Sequence, residues 1–104
     1  MRFGLLGKDI SASLSPALHQ AAAKEQSQDV DYLLLDVGPE QLGEILQSMR
    51  TGHWSGLNVT APYKRWAWQA VDDHGPVARL LGVVNTIAHS GDGRLIGYNT
   101  DRIG

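Results

Sequence analysis

Gly56-Leu57-Asn58-Val59-Thr60-Ala61-Pro62-Tyr63-Lys64 combines an apolar stretch, a polar turn and a helix start. Gly56 to Val59 reads as the end of a strand, and Pro62 suits the first position of a helix, where its missing N–H costs nothing. Asn58, Thr60 and Lys64 then gather at one strand-to-helix junction. In an open α/β sheet ligands bind at such junctions, in the crevice beyond the carboxyl ends of the strands. Lys64 falls in the first helical turn, where the positive end of the helix dipole disfavours an ammonium and eases its deprotonation, so it is a candidate for proton exchange. The plainer alternative is a solvated helix lysine beside a turn whose Asn58 and Thr60 only satisfy backbone groups.

Upstream, Arg2 to Gly7 is a short apolar run ending in glycine, as expected of a buried first strand and a tight turn. A polar loop from Lys8 to Leu14 leads to Ser15-Pro16, which reads as an N-cap and first helical position, and the alanine-rich run to about Gln26 continues that helix. Ser13 and Ser15 thus stand above the first strand, although Ser15 could be a cap and nothing more. Asp31 to Val37 reads as a second strand, apolar enough to be covered on both faces. A helix follows, with Pro39 at its first position, Glu40 in its first turn, an apolar stripe of Leu42, Ile45, Leu46 and Met49, and Gly52 past its end.

Downstream, Tyr63, Trp66, Ala67 and Ala70 share one helical face, and Trp68 falls off it toward partial exposure. Asp72 and Asp73 read as a solvated helix end rather than an acid/base pair. Pro76 to Leu81 forms a short helix ended by Gly82, and Val83 to His89 a strand interrupted by Asn85-Thr86. Asn85 either bonds neighbouring backbone or faces a ligand. Ser90-Gly91-Asp92-Gly93 signals a hairpin, Arg94 to Tyr98 returns antiparallel, and Asn99-Thr100-Asp101 closes the strand with a further polar cluster.

A chain of 104 residues, 42% hydrophobic, suits one domain, which should bury roughly 65% of its unfolded surface. A net charge of -2 without a long basic run argues against nucleic acid as partner. The apolar N-terminal run breaks on Lys8 and Asp9, too early for a signal peptide or membrane span, so a cytoplasmic protein is expected. With no cysteine, disulfides, thiolate zinc sites and cysteine nucleophiles are excluded. His19, His53, His74 and His89 lack metal-ligand spacing, so no metal is expected.

Three βα units and a hairpin predict an α/β domain: a three-layer α/β/α sandwich with a mixed, mostly parallel sheet and a C-terminal antiparallel hairpin. Its polar clusters, Ser13 and Ser15, Asn58 to Lys64, Asn85, and Asn99 to Asp101, sit at strand ends where they could converge on one ligand. Hydroxyls and amides with one cation and one anion suit a small, polyhydroxylated, carboxylated molecule.

Four segments carry a resemblance: Phe3 to Gly7 with Ser13-Leu14-Ser15-Pro16-Ala17-Leu18-His19, Asn58 to Lys64, Gly82-Val83-Val84-Asn85-Thr86, and Gly97-Tyr98-Asn99-Thr100-Asp101. Over essentially its whole length the chain resembles the N-terminal substrate-binding domain of the shikimate dehydrogenases. The resemblance implies NADP-dependent reduction of 3-dehydroshikimate to shikimate, a step of chorismate and aromatic amino acid biosynthesis. It implies Lys64 and Asp101 as the catalytic pair, Ser13 and Ser15 as carboxylate ligands, and Asn58, Thr60, Asn85 and Asp101 as partners of the ring hydroxyls. It also implies an NADP-binding Rossmann domain after residue 104, since no GxGxxG-like loop occurs within the chain, which alone is then expected to be inactive. A monomer and a homodimer both remain open for the complete protein.

Asp9, Ala12 and Arg102 depart from the family's usual Pro, His and Gly. The first two border the serines and leave open a relative acting on quinate. A stand-alone shikimate-binding module without catalysis is a rival of another class, against which stand the retained Lys64 and Asp101. A folate-dependent dehydrogenase domain fits the paired serines and the Asn-Thr-Asp ending less well.

Overall fold

The computed structural model describes residues 2–10 and 31–100. The expected helix from Ser15 to Gln26, both serines, Asp101 and the departures at Ala12 and Arg102 lie outside the described residues. The described strands are β1 (Arg2–Gly7), β2 (Asp31–Asp36), β3 (Gly56–Val59), β4 (Asp73–His74), β5 (Thr86–His89) and β6 (Leu95–Tyr98). The described α-helices are α1 (Leu42–Arg50), which a 3-10 turn at Pro39–Gln41 introduces, α2 (Lys64–Ala70) and α3 (Pro76–Leu81).

The strands form one six-stranded sheet in the order β2-β1-β3-β5-β6-β4. β1 runs parallel to β2 and β3, β5 is antiparallel to β3 and β6, and β4 is parallel to β6. The expected mixed, mostly parallel sheet with a terminal antiparallel hairpin is therefore present, with β5 the reversed strand among those described.

Side chains alternate across a strand, so one set of residues faces the core. Leu6, Leu57, Val59, Ile87 and Leu95 are buried on that face. Leu42 and Met49 of α1, Ala67 of α2 and Ala78 of α3 complete the same cluster, so all three described helices contribute to it. Phe3, Tyr32, Asn58, Thr86 and Ala88 alternate out of phase with the core set and stand on the opposite face.

Four local expectations need correction. Pro62 is not the first residue of a helix: the Ala61–Pro62 peptide is cis, the Tyr63 N–H closes a turn on the Thr60 carbonyl (3.1 Å), and α2 starts only at Lys64. β5 begins at Thr86 rather than Val83: the Val84 N–H leaves the sheet for the Lys64 carbonyl (3.1 Å), while Asn85 keeps bonds to both neighbouring strands, its carbonyl accepting from Val59 N–H (2.7 Å) and its N–H donating to the Tyr98 carbonyl (3.0 Å). β2 ends at Asp36, where the Val37 N–H turns to the Gly7 carbonyl (3.0 Å). Asp73 belongs to β4, and Asp72 is a structural anchor: it accepts from Arg50 Nη1 (2.8 Å) and from the Leu95 N–H (2.8 Å).

Two expectations are met in detail. Gly82 ends α3 at φ 71, the left-handed region that glycine enters without strain. Trp68 is half-buried, with its indole donating to the Ala78 carbonyl (2.9 Å) and its ring stacked on His74 (4.2 Å).

Candidate functional site

The carboxyl ends of β1, β2 and β3 lie side by side, because the three strands are parallel neighbours. There the Thr60 N–H donates to the Leu6 carbonyl (2.9 Å), and the Asp9 N–H to Asp36 Oδ1 (2.8 Å). Gly7 lets these pieces meet: a Cβ there would lie 2.6 Å from Ile10 Cγ2 and 2.7 Å from Thr60 Cγ2. Gly7, buried Ile10 and Thr60 thus pack together where β1 ends.

Lys64 is half-buried at the first residue of α2, placed by Tyr63 before it. Tyr63 is buried and its hydroxyl donates to the Val37 carbonyl (2.6 Å), which pins the helix start to the end of β2. Burial comes first among the causes that push this phenol's pKa up, with carboxylates of Glu40, Asp36 and Asp9 adding to it. The Lys64 carbonyl accepts the Val84 N–H, so the helix that carries the amine is bonded to the residue before Asn85.

Asn85 is the crossing point of the site. Its N–H donates to the Tyr98 carbonyl (3.0 Å) and its carbonyl accepts from Val59. Its side-chain amide is held by Thr100: Nδ2 donates to Thr100 Oγ1 (3.1 Å), and Oδ1 accepts the Thr100 N–H (3.1 Å). Thr86 Oγ1 also donates to Oδ1 (3.0 Å). Asn99 is buried and donates from Nδ2 to the Val83 carbonyl (3.2 Å), tying the end of β6 to the segment before β5. Of the two readings open for Asn85, hydrogen bonding within the protein is present, with one backbone partner, the Thr100 N–H, and two side-chain partners, the Thr86 and Thr100 hydroxyls.

Asn58 and Thr86 are register partners across β3 and β5. On their face lies a hollow of about 530 Å³, bordered by Phe3, Tyr32, Gly56, Asn58, Thr86 and Ala88. Its walls are mostly apolar, its polar residues are Tyr32, Asn58, Thr86 and, beyond Gly56, Ser55, and Thr60, Lys64 and Asn85 do not line it. Asn58 Nδ2 donates to the Tyr32 hydroxyl (3.0 Å).

Of the expected site residues, Asn58, Thr60, Lys64 and Asn85 are described and their backbones are linked through Leu6, Val59 and Val84. Ser13, Ser15 and Asp101 lie outside the described residues. Thr100 and Tyr32 were not singled out from sequence as site residues. Thr100 had a signal, its place between two polar residues; Tyr32 had none, since its contact spans from β2 to β3. Among the described residues no group of three or more His, Asp or Glu is arranged to hold a metal. None of the described helices is long and apolar enough to cross a membrane.

The model of the shikimate dehydrogenase substrate-binding domain matches residues 5–87. The chain belongs to that family. It is 43% identical to the NADP(+) shikimate dehydrogenases of Bacillus mycoides strain KBAB4 and Bacillus cereus strain B4264, over 98% of this chain and 36% of each relative. It therefore spans about a third of the length of these curated relatives. Among solved structures, shikimate 5-dehydrogenase of Thermus thermophilus in complex with NADP(H) and shikimate superposes with a TM-score of 0.77 at 36% identity, covering 96% of this chain and 38% of that one. The Listeria monocytogenes enzyme in complex with shikimate and NAD gives the same TM-score and identity, covering 96% of this chain and 34% of that one.

Proposed function

We propose that the chain is the substrate-binding and catalytic half of a cytoplasmic NADP-dependent shikimate dehydrogenase, which interconverts 3-dehydroshikimate and shikimate. The observation that carries this reading is the convergence of three family segments at Asn85, whose backbone reaches Val59 and Tyr98 and whose amide is clasped by Thr100. In this reading Asn58, Thr60 and Asn85 hold ring hydroxyls, Ser13 and Ser15 hold the carboxylate, and Lys64 with Asp101 moves the proton of the reacting oxygen.

The described residues do not supply a dinucleotide cradle. The glycine turn after β5 joins antiparallel strands, not a strand to a helix, so it offers no helix N-terminus to a pyrophosphate. NADP, held mainly by a companion Rossmann domain, would supply the hydride when bound; the residues of this chain bind, orient and exchange the proton.

Titration with shikimate followed by amide NMR tests the reading. Saturable shifts are expected at Asn58, Thr60, Lys64 and Asn85, and their absence would overturn it. Addition of NADP should then produce neither tight binding nor absorbance at the reduced-nicotinamide band, and steady turnover by these residues would refute the division of labour.

A further inference from the structure

We infer that Tyr32 is a positioning residue for substrate, acting through Asn58. This rests on the substrate-binding reading above and extends it to a side chain outside the family segments that carry that reading.

β2 and β3 are not neighbours; β1 lies between them. The Tyr32 side chain nevertheless crosses the face over β1 and accepts the Asn58 Nδ2–H at 3.0 Å. The register accounts for the reach. Tyr32 pairs with Phe3, which pairs with Gly56, so Tyr32 stands one side-chain step behind Asn58, and a residue without a side chain lies in its own row on β3. The phenol length covers this diagonal; a shorter polar residue at 32 would not.

The consequence for Asn58 is orientational. An unrestrained amide at an exposed site samples several rotamers. The bond to Tyr32 restrains the Asn58 side chain to one position over β1, with one amide atom on the phenol and the other turned away from β2. Such preorganisation removes an ordering cost from binding. The Tyr32 ring and Asn58 both border the hollow, so the bond forms part of its wall.

The test is Tyr32→Phe, which keeps the ring and removes the hydroxyl, in the chain studied by NMR and by shikimate titration. The Asn58 side-chain amide pair should shift in the ligand-free variant, and shikimate should bind about three- to tenfold more weakly, the worth of one hydrogen bond. Thermal unfolding monitors the fold. In an Asn58→Ala background the Tyr32→Phe effect on shikimate affinity should vanish, since a positioning role has nothing left to position. An unmoved Asn58 amide in Tyr32→Phe, unchanged affinity in that variant, or an equal loss in the Asn58→Ala background each overturns the inference and leaves the substrate reading standing. Failure of the wild-type chain to bind shikimate would remove both.

Discussion

Thr100 holds the Asn85 amide at both of its polar atoms: its hydroxyl accepts from Nδ2 at 3.1 Å, and its backbone N–H donates to Oδ1 at 3.1 Å. The amide cannot leave this setting without losing the bond from the Thr100 N–H, so the threonine fixes its orientation.

Thr100→Val keeps the shape and removes the hydroxyl. It should weaken shikimate binding about three- to tenfold and lower stability by about 1 kcal/mol, because one bond of the pair is lost while the backbone bond persists. Titration and chemical unfolding separate the two effects. An unchanged affinity would reduce the Asn85–Thr100 contact to a structural tie.

Tyr63→Phe tests how the helix that carries Lys64 is anchored. The tyrosine hydroxyl donates to the Val37 carbonyl at 2.6 Å from a buried position. Its loss leaves that carbonyl without this donor and should cost about 1–2 kcal/mol in denaturant unfolding. Amide shifts should spread to Val37 and Lys64; if they stay at residue 63, the bond does not position the helix.

The parts of this fold legible in sequence were those written in local pattern. The apolar run of Arg2–Gly7, the stripe of Leu42, Ile45 and Met49, and the glycine turn after His89 each declare themselves over a few residues. The errors fall where tertiary bonds override local preference. Proline alone suggested a helix start at Pro62, but Tyr63 closes a turn on Thr60 first. Val83 to His89 reads as one strand, yet the Val84 N–H goes to Lys64 in α2 instead of to a neighbouring strand. The same distinction divides the site. Asn58, Thr60, Lys64 and Asn85 were readable as polar groups at strand ends, whereas Tyr32 becomes relevant only when β2 is set two strands from β3.

Asp72 supplies a prediction in pH. The side-chain bond from Arg50 comes first among the causes that hold its carboxyl below the usual value, followed by the Leu95 N–H. A carboxylate with a folded pKa below its unfolded one adds stability above the unfolded value, about 3.9, and loses that contribution as pH falls through the folded value. The pair is about one third exposed on both sides, so solvent screening limits its worth to under about 1 kcal/mol. Asp72→Asn should lower the unfolding midpoint at pH 7 and have less effect near pH 2. An equal loss at both pH values would assign the effect to shape instead of charge.

Lys64 is where binding and chemistry should come apart. Its position at the first residue of α2, with its carbonyl bonded to Val84, ties its backbone to the segment that carries Asn85. In the proposed role it exchanges the proton of the reacting oxygen, an interaction that matters most in the transition state. Lys64→Ala in the complete enzyme should therefore lower kcat by roughly 100-fold or more, while shikimate affinity of the present chain falls by less than about tenfold. Asp101→Asn should lower kcat as well, and the double variant should lose less than the product of the two single losses if lysine and aspartate act as one unit. A raised KM at unchanged kcat would make Lys64 a binding residue only, and full multiplicativity would dissolve the pair.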